Sequence, residues 1–199
     1  MNKTALIVFQ KNEVLGKVKT RLAATLGDVE ALKIYQILIG HTHQVIQSIA
    51  ADTYLFFSDF VPDAYETQAS GFYLQVQEGK DLGDRMSNAF EFLFKKEYKR
   101  VLIIGTDCAV LESIHIETAI QKLELADVVI GPAEDGGYYL LGMKKLIPSL
   151  FTGMEWSTED VLKETARRLT HENLSYIKIE TLSDIEREEE CDKVKMNFI

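Results

Sequence analysis

The chain has 199 residues with a formal net charge of -9 at pH 7; hydrophobic residues make up 46% and charged residues 27%. This composition is that of a globular protein rather than a disordered one, and the length suits a single α/β domain over residues 1–199. Beyond Lys17, Lys19 and Arg21 the sequence has no dense Lys/Arg cluster of the kind typical of nucleic-acid-binding proteins, so we expect no nucleic-acid partner. The two cysteines fit no zinc or disulfide pattern, and no apolar run is long enough to cross a membrane or forms part of a signal peptide. We therefore expect a cytoplasmic protein.

The first predicted strand, residues 5–9, is apolar on both faces and leads into a basic loop. This loop contains Gly16 followed by a cluster of cations: Lys17, Lys19 and Arg21. Glycine lets a backbone approach a ligand, and Lys and Arg supply charge-assisted hydrogen bonds to phosphates. The loop is not a Walker motif, because Val18 stands where that motif needs Ser or Thr. A small anionic ligand and a merely solvated basic loop remain the two interpretations.

A second turn with possible ligand contacts lies at residues 77–86. It follows a long apolar helix that begins at Asp28 and runs to about residue 50, and short strands at 54–57 and 73–76. The turn carries two glycines among charged residues and leads into a helix. Such a strand-to-helix turn can shape a nucleotide pocket, while its acidic residues could equally complement the helix dipole.

Asp107 follows a short buried strand, residues 101–104, at the position where ligands bind in open α/β sheets. A carboxylate there suits Mg²⁺ or Mn²⁺, which prefer hard oxygen ligands. The alternative is that Asp107 caps the following helix, predicted over residues 113–125.

Residues 134–137 read Glu-Asp-Gly-Gly and separate two further strands, 127–131 and 138–143, the second of which we expect to reverse direction. The two carboxylates could bind metal or accept a proton from an attacking hydroxyl. An ordinary tight turn is the alternative. Beyond it, Ser157 and Asp160 suggest a cap for a helix ending near His171, and a last strand is predicted over 176–182. For Trp156, packing is favoured over stacking on a ligand.

Four motifs therefore stand in order: Gly-x-Val-Lys-Thr-Arg-Leu, Asp-Leu-Gly-x-Arg-Met, Gly-Thr-Asp-Cys and Gly-Pro-Ala-Glu-Asp-Gly-Gly-Tyr-Tyr. Together they resemble a small bacterial glycosyltransferase family of GT-A type, often described as associated with radical-SAM or selenium-related genes and with arsenosugar biosynthesis. That family belongs to the nucleotide-diphospho-sugar transferase superfamily. The resemblance implies a Rossmann-like α/β/α sandwich with a mostly parallel central sheet.

The resemblance also assigns roles to individual residues. It implies that Asp107 binds the metal, Mg²⁺ or Mn²⁺, and that a further set of residues contacts or borders the nucleotide: Gly16, Lys19, Arg21, Gly83 and Arg85. Gly136 and Gly137 would line the acceptor side together with Asp135, which is our candidate catalytic base. Compared with the family pattern, Glu13 and Ala109 replace prolines and Glu186 replaces a second Asp next to Asp184.

Three functions are compatible with this pattern. The first is a metal-dependent glycosyltransferase that uses a nucleotide-diphosphate sugar and a small-molecule acceptor. The second is a nucleotidyltransferase that uses a nucleoside triphosphate and releases pyrophosphate. The third is a non-catalytic nucleotide-binding protein. All three predict that Lys19, Arg21, Asp107 and Asp135 converge on one cleft at the carboxyl edge of the sheet.

Overall fold

The computed structural model describes residues 3–63, 65 and 71–183 and is built around one seven-stranded sheet. The strands are β1 (Thr4–Gln10), β2 (Asp52–Phe57), β3 (Tyr73–Val76), β4 (Arg100–Ile104), β5 (Val128–Pro132), β6 (Tyr138–Met143) and β7 (Tyr176–Lys178). Their order across the sheet is β3-β2-β1-β4-β6-β5-β7. Strand β6 runs antiparallel to β4 and β5, and the other pairs are parallel. The α/β class, the mostly parallel sheet and the reversal at β6 are thus confirmed.

Helices cover both faces of the sheet. They are α1 (Thr20–Leu26), α2 (Asp28–Ile46), α3 (Leu82–Lys95), α4 (Ser113–Lys122) and α5 (Val161–His171), with a short 3-10 turn at Pro148–Leu150. On one face, α3 and α5 contribute buried Phe90 and Leu169 to a cluster that includes Ile7 and Ile103. On the other, α2 and α4 pack against the opposite sides of the same strands. Strands β1 and β4 are buried on both faces because their side chains alternate between these two cores.

Several predicted boundaries were wrong. The basic loop ends earlier than expected because α1 begins at Thr20, and α2 ends at Ile46 rather than near residue 50. Ser157 does not cap α5: it has a φ of 64°, and Asp160 is the N-cap without a side-chain hydrogen bond. The last strand is confined to β7, while Leu182 forms an isolated bridge with Ala133.

Asp184 and Glu186 lie outside the described residues. Within the described part of the chain, no helix has the length and apolar character needed to cross a membrane.

Candidate functional site

Two adjoining cavities open where β1, β2, β4 and β5 end. The first has a volume of about 340 Å³, and its lining includes Tyr35, Asp107, Asp135, Gly137, Tyr138 and Trp156. The second has a volume of about 640 Å³, and the charged residues in its lining are four cations and two carboxylates: Lys11, Lys17, Lys80, Arg85, Asp59 and Asp81. Both cavities are bounded by Lys11, Gln77 and Leu82, so they meet at the end of β1.

Asp107 lies directly beyond β4 and pairs with Lys19 at the start of α1. The Nζ atom of Lys19 is 2.5 Å from Oδ1 of Asp107. The lysine side chain is only 7% exposed, whereas that of the aspartate is 42% exposed and faces the first cavity. Lys19 has a left-handed backbone with φ 47°, a conformation that is costly for a residue with a side chain. The loop thus holds a largely buried ammonium group against the candidate metal ligand.

Tyr35 of α2 joins the ends of β1 and β4 at the wall of the first cavity. Its hydroxyl accepts a hydrogen bond from the backbone nitrogen of Lys11 at 2.8 Å and lies 3.1 Å from Oγ1 of Thr106. Burial raises the pKa of Tyr35 far above its ordinary value, and the neighbouring Asp107 raises it further, so the phenol stays protonated. Sequence reasoning placed Tyr35 only on an apolar helix stripe, because its hydroxyl partners are distant in sequence.

Asp135 sits in a tight turn that is fastened to the start of α5. Its Oδ1 accepts a hydrogen bond from the backbone nitrogen of Gly137 at 2.9 Å, and the side chain lines the first cavity. Gly136 has a φ of 89°, and a Cβ atom added there would lie 2.2 Å from the carbonyl oxygen of Glu159. The two glycines therefore serve the geometry of this turn, and Gly137 also lines the cavity.

Gly83 and Arg85 lie on opposite sides of the first turn of α3. A Cβ atom on Gly83 would lie 2.6 Å from Nε1 of Trp156, so this glycine allows close packing of the indole, which lines the first cavity. Gly83 itself lines neither cavity. Arg85 lines the second cavity, and its Nε donates to the carbonyl oxygen of Gly79 at 3.4 Å. Trp156 thus has both a packing role and a place in the cleft.

Gly16 and Arg21 line neither cavity. Gly16 has a φ of 72° and lies against the Asp28 carboxylate at the start of α2, while Arg21 is exposed on α1. Of the four residues expected to converge, Asp107 and Asp135 line one cleft, Lys19 reaches it through Asp107, and Arg21 does not line it. The nucleotide contacts of Gly16 and Arg21 remain predictions.

Lys11 and Lys80 were missed as site residues by sequence reasoning. Lys11 follows β1 directly and Lys80 precedes α3, so both stand at the carboxyl ends of strands or the starts of helices, where ligand contacts concentrate. The positions of these two lysines in the predicted fold could therefore have identified them as candidate ligand contacts.

Two of the departures from the family pattern lie within the described residues. Glu13 is exposed and accepts a hydrogen bond from Nε2 of Gln36 at 3.1 Å. Ala109 is buried among Leu22, Ile34 and Leu38. Glu13 therefore links the first loop to α2, and Ala109 packs the segment after β4 against α1 and α2.

The described residues contain no cluster of three carboxylate, histidine or cysteine groups suited to a metal ion. Asp107 nevertheless fits Mg²⁺ or Mn²⁺ bound together with a ligand's phosphates, because Mg²⁺ often takes only one or two carboxylates and completes its shell with phosphate and water. The side chain of Asp107 is 42% exposed at the cleft, and since Oδ1 is paired with Lys19, Oδ2 is the oxygen that would bind such an ion.

The strand order and the cleft at the carboxyl edge define a protein with the fold of nucleotide-diphospho-sugar transferases and nucleotidyltransferases. Residues 41–158, more than half of the chain, match the family described as "uncharacterized protein conserved in bacteria (DUF2064)", and the chain belongs to that family. No protein of curated function matches the sequence.

Solved structures share the whole fold. The chain is 28% identical to a "putative nucleotide-diphospho-sugar transferase" from Desulfovibrio desulfuricans G20, with a TM-score of 0.86 over 94% of this chain and 84% of the other. A CMP:2-keto-3-deoxy-manno-octonic acid synthetase in complex with CTP matches with a TM-score of 0.61 and 12% identity over 98% and 97% of the two chains. The inositol-1-phosphate CTP transferase from T. maritima matches with a TM-score of 0.58 and 14% identity over 100% and 99%. The last two likenesses concern the fold alone. Associations with radical-SAM genes or arsenosugar synthesis are not shown by any of these matches.

Proposed function

We propose that the protein is a glycosyltransferase that moves a sugar from a nucleotide-diphosphate sugar to a small-molecule acceptor with the help of Mg²⁺ or Mn²⁺. The observation that carries this proposal is the pair of joined cavities. Four cations outnumber two carboxylates, Asp59 and Asp81, in the lining of the second cavity, and the first is lined by Asp107, Asp135 and aromatic rings. A nucleotide sugar has the same division, with an anionic diphosphate between a nucleoside and a neutral sugar.

The donor's diphosphate suits the junction of the cavities. Lys11 stands there, and Lys17, Lys80 and Arg85 line the side away from Asp107. Ammonium and guanidinium groups form charge-assisted hydrogen bonds with phosphate oxygens, and several cations around one cleft attract an anion together. The nucleoside would extend into the second cavity and the sugar into the first.

Departure of a nucleoside diphosphate places negative charge near Asp107 and Lys19. A Mg²⁺ or Mn²⁺ ion bound by Asp107 and the phosphates would neutralise that charge as a Lewis acid. The ammonium group of Lys19 is already held beside Asp107, so it can stabilise the same charge without a large movement of its side chain.

The sugar and its acceptor suit the first cavity. Tyr138 and Trp156 present aromatic rings there, and Asp135 presents an exposed carboxylate fixed by its bond to Gly137. We assign Asp135 as the base that takes the proton from the acceptor hydroxyl as that hydroxyl attacks the sugar. Its rigid turn supports this role, because a base must be positioned before it is effective.

A nucleotidyltransferase is the second candidate, and the four cations of the second cavity favour it. In that reaction an acceptor phosphate attacks the α-phosphate of a nucleoside triphosphate, and charge stabilisation at phosphorus dominates catalysis. A protein that binds nucleotides in the same cleft without turnover is the third candidate.

Product analysis separates the three. Purified protein is incubated with Mn²⁺, a set of small hydroxylated and phosphorylated acceptors, and either nucleotide-diphosphate sugars or nucleoside triphosphates, and phosphorus NMR follows the products. Release of a nucleoside diphosphate from one sugar donor supports the proposal. Pyrophosphate release from a triphosphate replaces it with nucleotidyl transfer, and binding without either product supports the non-catalytic candidate. Asp135→Asn should remove turnover and keep donor binding.

A further inference from the structure

We propose that Phe60 is the platform on which the planar base of the nucleotide stacks, and that Asn12 holds it in place. The inference rests on the proposed use of the second cavity for a nucleotide, and it assigns a residue that none of the four sequence motifs contains. Phe60 follows the carboxyl end of β2 by three positions and lines the second cavity.

Phe60 is unusually exposed for a phenylalanine that borders a cavity. Its exposed fraction is 53%, although the chain buries most of its large apolar side chains. A single exposed apolar residue is common on protein surfaces and carries no meaning alone. Here the exposed residue shares one concave surface with Lys17, Lys80 and Arg85, and the cations of this cavity outnumber its two carboxylates, Asp59 and Asp81. A ring next to clustered cations matches a ligand that has a flat aromatic part and an anionic part.

The second observation is the hydrogen bonding that fixes the Phe60 backbone. The carbonyl oxygen of Phe60 accepts from Nδ2 of Asn12 at 2.8 Å, and Oδ1 of Asn12 accepts from the backbone nitrogens of Asp59 at 2.9 Å and Phe60 at 3.4 Å. Oγ of Ser58 accepts from the Asn12 backbone nitrogen at 3.0 Å, and its single hydroxyl hydrogen is shared between Oδ2 of Asp59 at 2.6 Å and the same Oδ1 of Asn12 at 3.1 Å.

Asn12 itself is only 3% exposed, so its amide is committed to this short loop on both its donor and acceptor sides. A loop held in this way loses little conformational entropy when a ligand binds, which favours affinity. Asn12 follows β1, so its hydrogen bonds also tie the loop after β2 to the loop that carries Lys11 and Lys17. The ring and the phosphate-binding cations are therefore held in a fixed relation.

Stacking on an aromatic ring contributes to binding for every base, because every base has a π face. Phe60 should consequently raise the affinity for nucleotides in general, while leaving the contacts with the phosphates unchanged. From typical stacking contributions, loss of the ring should weaken nucleotide binding by about tenfold or more.

The test compares nucleoside diphosphates with inorganic pyrophosphate, which has the phosphates and lacks the base. Calorimetric titrations with UDP, GDP, CDP, ADP and pyrophosphate, in the presence of Mn²⁺, are made on the wild-type protein, Phe60→Leu and Phe60→Tyr. We expect Phe60→Leu to weaken the best-bound nucleotide about tenfold or more and to leave pyrophosphate affinity within about twofold. Phe60→Tyr should restore nucleotide binding, since it restores the ring. Leu125→Ala, which removes another exposed apolar side chain away from both cavities, is the matched control.

Equal losses for pyrophosphate and nucleotide in Phe60→Leu, or no loss for either, would overturn the stacking role while leaving the proposed function standing. Absence of any nucleotide binding by the wild-type protein would overturn both. Asn12→Ala should weaken nucleotide binding and, to a smaller extent, pyrophosphate binding, because it releases the Phe60 backbone and also the loop that carries Lys11 and Lys17. If Asn12→Ala lowers the melting temperature too far for titration, the Phe60 variants alone decide the matter.

Discussion

Lys19 Nζ lies 2.5 Å from Oδ1 of Asp107, and this ion pair joins the start of α1 to the carboxyl end of β4. The pair is asymmetric, because the lysine side chain is nearly buried and the aspartate is half exposed. Removing the carboxylate leaves a largely buried ammonium without this partner, whereas removing the ammonium leaves a carboxylate that water can reach.

We therefore predict that Asp107→Asn lowers the free energy of unfolding by about 1 to 2 kcal/mol, and that Lys19→Met lowers it by less. Urea unfolding at pH 7 measures both. Glu91→Gln is the matched control, because it removes an exposed carboxylate paired with Lys95 on α3 and should have an effect below about 0.5 kcal/mol. A larger loss for Lys19→Met than for Asp107→Asn would contradict the asymmetry.

Lys80 tests the electrostatic part of nucleotide binding. It is exposed at the rim of the second cavity, so its attraction for phosphates acts through water and is screened by salt. Lys80→Met should weaken nucleoside diphosphate binding about two- to fivefold at low ionic strength, with a smaller effect at 0.5 M salt. Lys163→Met, which removes an exposed lysine on α5, should leave affinity unchanged. A salt-independent loss in Lys80→Met would point to a different cause.

Gly136 tests how tightly the Asp135 turn is built. Gly136→Ala adds a Cβ atom 2.2 Å from the Glu159 carbonyl oxygen at a φ of 89°. Gly27→Ala is a good control, because Gly27 has a similar φ of 82° and nothing within 4 Å of an added Cβ atom. We expect both variants to be destabilised by about 1 to 2 kcal/mol from backbone strain, and Gly136→Ala by a further 1 to 3 kcal/mol from steric overlap. Equal melting temperatures for the two variants would show that the turn can move away from α5.

Glu164 of α5 provides a prediction about pH. Hydrogen bonds from Arg167, and to a smaller extent from Arg168, lower the pKa of Glu164 from 4.5 to about 2. Arg168 also donates to the carbonyl oxygens of Ser149 and Thr152, so this cluster secures the segment that precedes Trp156. Because the folded-state pKa is depressed, the stabilisation is fully present above about pH 4.5 and is lost as the pH falls towards 2.

Glu164→Gln should therefore lower the melting temperature at pH 7, and the difference from wild type should shrink between pH 4.5 and pH 2. A constant difference across this range would mean that packing, rather than charge, accounts for the effect.

The fold was accessible from the sequence because each central strand is a short, continuous apolar run bounded by glycine or charged residues. Residues 101–104 and 138–143 were recognised in this way to within a residue of β4 and β6. The rule that ligands bind at the carboxyl ends of parallel strands then placed Asp107 and Asp135 at one edge. Their shared cleft follows from this rule and the reversal at β6.

The remaining features depend on contacts between distant parts of the chain. The pairing of Lys19 with Asp107 depends on the left-handed turn before α1, which the sequence does not reveal because such a conformation is rare for lysine. The hydrogen bonds of Tyr35 and Asn12 join segments far apart in sequence, so no local pattern identifies them. The predicted cap at Ser157 was wrong because Ser157 lines the first cavity, and α5 begins only at Val161 with Asp160 as its N-cap.

The central claim is that the cleft binds a nucleotide through its phosphates, with Asp107 and a divalent cation. The most direct measurement is a calorimetric titration of UDP, GDP, CDP and ADP into wild-type protein and Asp107→Asn, each with Mn²⁺ and with EDTA. The account predicts that the wild-type protein binds at least one of them only when Mn²⁺ is present, and that Asp107→Asn loses the contribution of the metal while remaining folded. Equal affinity with Mn²⁺ and with EDTA, or unchanged Mn²⁺-dependent affinity in Asp107→Asn, would contradict it.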